Sequence, residues 1–267
     1  MKKKPSIIAW WSGGLTSAVA CRLALEKYEN VRIVYIETGS HHIDTIRFKK
    51  DCEKWYGCKI ETIQTDKFDN HFDVIIKKKF INGPFGARCT LELKKNVRFD
   101  FEKHNNISHQ IWGYEFSLNE INRAIRTREQ YPNTNPLFPL IENKLTKNEC
   151  AGIVALAGID IPLMYKLGYN NNNCIGCVKG GKGYWNKIRV DFPAIFKKMA
   201  ITERLIKATC IKSDNGKIYL DKLNPKAGIK KSIVLPDCGL FCQIEFANLI
   251  SKKTLMVLSG ECSIYDD

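Results

Sequence analysis

Apolar residues in the first half of the chain switch repeatedly between two spacings. Ile7 to Trp11 is a short unbroken apolar run, which predicts a buried strand. From Leu15 to Tyr28, Ala18, Val19, Cys21, Leu23 and Leu25 recur at helical spacing. Val31 to Ile36 predicts a second buried strand that ends at Glu37-Thr38-Gly39. A helix is expected from about Asp44 to Tyr56, with Gly57 placed to stop it. Residues 58–65 alternate like a third strand. Ile107 to Tyr114 reads as another, followed by a helix from about Leu118 to Glu129. Strands alternating with helices predict βαβ units and a parallel sheet, an α/β fold of the Rossmann-like kind.

The second half reads differently. Tyr131-Pro-Asn-Thr-Asn-Pro-Leu-Phe-Pro139 carries three prolines, which remove backbone donors and bar a continuous helix. Thr146 and Glu149 form a capping-box pattern that opens a helix towards Ala157. Four asparagines, Asn170 to Asn173, lead into Cys174-Ile-Gly-Cys177 and the glycine-rich Gly180-Gly-Lys-Gly183. A long helix is expected from Phe192, with Pro193 in its first turn, towards Ala208. Ser213-Asp-Asn-Gly216 has a hairpin-turn signature between Ile211 and Ile218. The expected division is residues 1–145 as a nucleotide-binding α/β domain, with 146–267 as a smaller helical, cysteine-containing region packed on it.

Charge adds a class of partner. The chain has 42 basic and 28 acidic residues, a net charge of +14. Such an excess favours polyanions, nucleic acids among them. Lysine runs such as 77–79 and 252–253 fit a solvated surface equally well. No apolar run approaches the roughly 18–20 residues that cross a bilayer, so no membrane partner is expected. Eleven cysteines is an odd number, and the basic start runs directly into the first strand. Together these predict a reducing, cytoplasmic setting without a disulfide framework. Isolated cysteines such as Cys21, Cys52 and Cys210 read as packing residues.

Candidate chemistry begins at Ser12-Gly13-Gly14-Leu15-Thr16-Ser17, between the first strand and the first helix. Two glycines let the backbone approach an anion closely. The helix start offers free N–H groups, and the hydroxyls of Ser12, Thr16 and Ser17 add donors. The segment is neither a Walker A loop nor a Gly-x-Gly-x-x-Gly loop. It resembles the PP-loop, Ser-Gly-Gly-x-Asp-Ser, of the ATP pyrophosphatases, with Thr16 where that family has Asp. Thr38-Gly39 followed by Asp44-Thr45, and Trp112-Gly-Tyr-Glu-Phe-Ser-Leu-Asn-Glu-Ile-Asn-Arg123, resemble segments of the phosphoadenylyl-sulfate (PAPS) reductases in the same order. The resemblance runs to about Cys177. It implies an adenine nucleotide α-hydrolase-like sheet and an adenine nucleotide, ATP or an adenylyl sulfate, with magnesium. It also implies that Thr38 and Gly39 lie near the adenosine and Arg123 near phosphates or substrate.

Cys174-x-x-Cys177 is the densest thiol pair. One reading is an iron–sulfur cluster of the 4Fe–4S type on Cys89, Cys174 and Cys177, with Cys242 or Cys238 as the fourth ligand. A second is zinc held by Cys174, Cys177, Cys238 and Cys242. A third leaves the thiols without metal, redox-active or merely buried. Asp237-Cys238-Gly-Leu resembles the nucleophilic cysteine motif of the PAPS reductases, which makes Cys238 a catalytic candidate. His41 and His42 read as polar loop residues. Lys182, Lys187 and Arg189, with Tyr184 and Trp185, could grip a nucleic acid or cover the cysteine loop. The functions in play are therefore ATP-dependent adenylation for sulfur transfer to tRNA or another nucleic acid, sulfonucleotide reduction through Cys238, and nucleotide binding without catalysis. A sulfur donor or a thioredoxin-like reductant would accompany the first two.

Overall fold

The computed structural model describes residues 5–84, 86–213 and 216–228. Its frame is a five-stranded sheet in the order β3-β2-β1-β6-β7. β1 (Ser6–Trp11) lies at the centre, parallel to β2 (Val31–Ile36) on one side and to β6 (Ile107–Ile111) on the other. β3 (Glu61–Ile63) and β7 (Pro136–Leu137) extend the two edges, also parallel. The chain leaves β1 in one direction and returns on its other side at β6. The carboxyl ends of β1 and β6 thus border a topological switch point, where open α/β sheets place ligands.

Side chains of β1 alternate between two cores, as strand geometry requires. Ala9 and Trp11 face α1 (Leu15–Lys27), α2 (Asp44–Tyr56) and α8 (Lys147–Leu156), in a core that includes Phe48, Cys150 and Val154. Ile8 and Trp10 face the other way, against Val34 and Phe101. The buried face of α1 is built mostly of small residues, Ser17, Ala18, Ala20, Cys21 and Ala24, which lets α8 pack close. Helix α8 starts at the expected capping box: Thr146 Oγ1 receives the Glu149 N–H while the Glu149 carboxylate receives the Thr146 N–H.

A further core gathers residues far apart in sequence. Phe72 and Ile75 of α3 (His71–Lys78) and Ala87 of the small ladder formed by β4 (Asn82–Gly83) and β5 (Gly86–Ala87) belong to it. So do Trp185 and Ile188 of α10 (Lys182–Asp191), Met199 of α11 (Pro193–Ile206), and Leu220. The hairpin expected around Ser213 is present as β8 (Ile211–Ser213) and β9 (Gly216–Ile218).

Three expectations change in detail. The third strand shortens from residues 58–65 to Glu61–Ile63. The strand expected to reach Tyr114 ends at Ile111, because Trp112 and Gly113 turn onto the start of α1. The long helix expected from Phe192 is preceded by a separate helix, α10. Phe192, at φ −136 and ψ 63, lies outside helical space, as the residue before a proline tends to, and Pro193 then opens α11.

Candidate functional site

The turn after β1 is braced from within. Ser17 Oγ donates to Gly14 O at 2.9 Å and accepts from Ser12 N and Ser12 Oγ, both at 3.0 Å. Gly13 sits at φ +82, which side-chain-bearing residues rarely adopt. Asn172, almost fully buried, donates from Nδ2 to Gly13 O at 2.8 Å and to Thr45 Oγ1 at 3.1 Å. The run of asparagines is therefore a latch on the glycine turn rather than a plain loop. Burial raises the Tyr165 hydroxyl to about 12, against the pull of backbone hydrogen bonds from Leu15 and Asn172. The N-cap residue, Gly14, offers α1 no side-chain cap and its first turn holds no acidic residue, so apart from the Leu15 N–H, which the Tyr165 hydroxyl takes, its positive end is uncompensated and suits an anion.

That helix start opens into a cleft of about 500 Å³ at the carboxyl ends of β1 and β6. Ser12, Thr16 and Ser17 line it, as do Arg123 and five further cations: Lys94, Lys95, Arg98, Arg126 and Lys147. Arg123 lies over the Tyr114 ring at 4.3 Å and pairs with Glu120 at 3.2 Å. Arg98 is nearly buried, 4.4 Å from the centre of the Tyr131 ring and 5.3 Å from that of Trp112, and its Nη2 has no hydrogen-bond partner. Glu115 also lines the cleft, with Oε2 buried and unpartnered. Gly113 forms one wall by close approach: a Cβ there would lie 2.6 Å from Ser17 Cα and 2.7 Å from Ser17 N.

The expected adenosine residues are placed differently from the loop residues. Thr38 and Gly39 are not among the cleft-lining residues. Thr38 is buried, with Oγ1 3.4 Å from His41 Nδ1 and 3.5 Å from Cys174 Sγ. Gly39, at φ +62, leaves room for the Asp69 carbonyl, which a Cβ would strike. His41 does line the cleft and pairs with the Tyr35 hydroxyl at 2.8 Å. Burial pushes the His41 imidazole below its ordinary range, Glu37 opposes that, and Lys94 adds to it. Burial alone would raise the Glu37 carboxyl. Hydrogen bonds from His41 and from the N–H groups of Gly39 and Thr38 outweigh it and hold the group at about 2. Sequence spacing offered no sign of this Glu37–His41–Tyr35 network.

Cys174 joins that network to a group of thiols. Burial, then the neighbouring Cys174 and Cys177, push the Cys89 thiol up to about 11. Cys177 is raised by burial and Cys174. Cys210 is raised by burial, then Glu203, then Cys177 and Cys89. Tyr184 braces the loop: its hydroxyl accepts from Gly176 N at 3.0 Å and Cys177 N at 2.9 Å, and donates to Cys174 O at 3.2 Å. Trp185 is fully buried in the core beneath. It cannot stack on a nucleic-acid base, and the pair covers the cysteine loop instead. Among the described residues, no three His, Cys, Asp or Glu side chains are gathered closely enough to hold a single ion. Cys238 and Cys242 lie outside the described residues.

Comparison with known proteins adds a local match. A relative from Methanocaldococcus jannaschii, itself uncharacterized, is 27% identical over 222 residues, covering 73% of this chain and 41% of the relative. The chain thus spans about two-fifths of that protein's length. A PAPS reductase from Candida auris, solved as a phosphate complex, aligns with a TM-score of 0.49 and 13% identity over 64% of this chain and 82% of that one. Among the described residues, no helix is long and apolar enough to cross a membrane. Residues 6–80, which carry β1, the glycine turn and the Thr38-Gly39 stretch, match the family model of the phosphoadenosine phosphosulfate reductase domain.

Proposed function

We propose that the chain binds an adenine nucleotide with its phosphoryl groups at the start of α1, and that it uses ATP to adenylate an acceptor for sulfur transfer. The observation that carries this reading is the cleft itself: an uncapped helix start and the hydroxyls of Ser12 and Thr16 face six basic side chains. A nucleotide's phosphates carry the complementary charge. Arg123 suits them because its planar fork pairs with two oxygens at once.

In this reaction an acceptor oxygen attacks the α-phosphorus, and the bond to the bridging oxygen breaks. Pyrophosphate then leaves with the bond's electron pair. The N–H groups at the start of α1 stabilise the charge that gathers on the leaving group. Magnesium, when bound, would share that charge. The family's aspartate is absent, since Thr16 stands in its place. Glu115 supports the fit, because its unpartnered oxygen supplies a carboxylate to the cleft. The basic rim and the net charge of +14 favour an acceptor that is itself a polyanion, tRNA or another nucleic acid. A sulfur nucleophile from a donor then attacks the adenylated carbon, and AMP leaves with the electron pair of the broken carbon–oxygen bond. Cytoplasmic action fits the same reading.

The match of residues 6–80 favours a second reading, in which the cleft takes an adenylyl sulfate. Cys238 would attack its sulfur, and a thioredoxin-like protein would resolve the product. One experiment separates the two. Purified full-length protein is given ATP, labelled pyrophosphate and RNA, and in parallel an adenylyl sulfate with reduced thioredoxin. Acceptor-dependent exchange of label into ATP supports adenylation. Sulfite release without exchange replaces it with reduction, and tight ATP binding with neither reaction leaves a binding module.

A further inference from the structure

Two buried hydrogen-bond donors lack acceptors on the β6 side of the cleft. Arg98, on the first turn of α5 (Asn96–His104), is only 7% exposed. Its guanidinium lies 4.4 Å from the centre of the Tyr131 ring, 4.7 Å from that of Phe99 and 5.3 Å from that of Trp112. One edge of it is fixed. Nε sits 3.1 Å from Glu102 Oε1, which also accepts from Gln110 Nε2 at 2.7 Å, and Gln110 Oε1 in turn accepts from Trp10 Nε1 at 2.8 Å. This chain ties Arg98 to β6 and to the central strand. On the other edge, Nη2 has no hydrogen-bond partner among the described residues, and neither has the buried Trp112 Nε1. Both groups can only donate, so what completes them is an acceptor, and a guanidinium prefers an anionic oxygen. Arg126, exposed on α6 (Leu118–Gln130), lines the same cleft and adds positive charge.

The position of these donors decides what they meet. β2 and β6 flank β1 on opposite sides. Thr38 and Gly39, expected near the adenosine, follow β2, whereas Trp112 follows β6 and Arg98 packs beside it. A nucleotide with its phosphates at the start of α1 and its adenosine towards β2 leaves Arg98 to a molecule that enters from the other side. We propose that Arg98, with Trp112 and Arg126, holds a backbone phosphodiester of a nucleic-acid acceptor, an inference that rests on the adenylation reading above. A phosphodiester has two unbridged oxygens that one planar fork takes together. The Tyr131 ring is half-buried and the nearest of the three to the guanidinium, so it is the cover that an entering phosphate displaces. Such a contact sets the register of the strand and carries no base sequence.

The test uses the purified full chain and a labelled RNA hairpin. RNA binding is titrated by fluorescence anisotropy at several salt concentrations without nucleotide, and ATP binding is measured in parallel by calorimetry. Arg98→Gln should weaken RNA binding about tenfold and lower the slope of log affinity against log salt by about one, as the loss of one phosphate contact does. Its ATP affinity should hold. Arg126→Gln, at an exposed position, should shift RNA binding in the same direction, and this arm stands even where Arg98→Gln fails to fold. Lys217→Gln, in β9 and outside the cleft, should change neither binding. Unchanged RNA affinity and salt slope in the folded arginine variants would overturn the proposal. So would an equal loss of ATP affinity in Arg98→Gln, which gives Arg98 to the nucleotide, or an equal loss of RNA affinity in Lys217→Gln, which spreads the contact over the whole basic surface. Wild type that binds no ATP, with the RNA losses intact, would sink the adenylation reading and leave the phosphate contact standing.

Discussion

The cleft beside β1 and the cysteine group meet at Thr38, whose hydroxyl lies between His41 and Cys174, yet they are assembled in opposite ways. The glycine-turn end of the cleft comes from one continuous stretch, residues 12–17, held by hydrogen bonds that mostly begin and end within it. The cysteine group has no such stretch. It exists only because β4–β5, the 174–177 loop and the start of β8 pack onto α10 and α11. One region is local, and Ser12 in it is exposed. The other is non-local and buried, and burial is the leading cause of its raised thiols. A site of the first kind tolerates damage to distant packing; a site of the second kind does not.

Trp185→Ala should break that contrast most severely. A fully buried tryptophan in the second core is worth about 3–5 kcal/mol. Urea unfolding should show the loss, and protection of the Cys89, Cys174 and Cys177 thiols from a labelling reagent should fall further than nucleotide binding. Equal losses at both sites would make the two regions one cooperative unit.

His71 sharpens the comparison through pH. It bonds Ser40 and lies close to Gly176 of the cysteine loop. Burial first, then Lys198, hold its imidazole down at about 4. The folded chain therefore resists a proton that the unfolded chain accepts near 6.5. Stability should be intact above that value and should fall, by on the order of 3 kcal/mol, as pH drops towards 4. In His71→Gln this slope in the unfolding midpoint should flatten. A slope that persists would place the titrating group elsewhere.

Gly113→Ala probes the cleft wall. The added methyl meets the backbone of Ser17, which cannot swing aside, so about 1–3 kcal/mol of stability should go. Nucleotide affinity should drop with it while thiol protection in the cysteine group holds. Asn172→Ala is gentler. Removing the latch on Gly13 should cost about 1 kcal/mol, and calorimetry should show weaker nucleotide binding. Unchanged binding would mean that the glycine turn holds its shape without the latch.

How much of this was legible follows from the range of the forces. The strand at Val31–Ile36 stands where the apolar run places it, and Gly57 ends α2 in the left-handed conformation. The capping box at Thr146 is formed as its spacing implies. Ser12, Thr16, Ser17 and Arg123 do line one cleft. Residues 66–106 gave no clear period and hold α3, the small ladder and α5 (Asn96–His104). Their apolar residues are shared between cores made by distant segments. Cys210 resembles any buried cysteine until Asn82 and Cys89 are seen beside it.

The chain's own sequence settled what depends on neighbours a few residues away: strand and helix periods, caps, and a glycine turn at a helix start. Tertiary structure alone decided which side chains share a volume. It turned Thr38 towards a thiol, brought Lys94 and Arg98 to the cleft, and set Cys210 within reach of two other cysteines. Backbone periodicity is a local property of the chain, whereas burial and charge act between atoms that the fold has to bring together first.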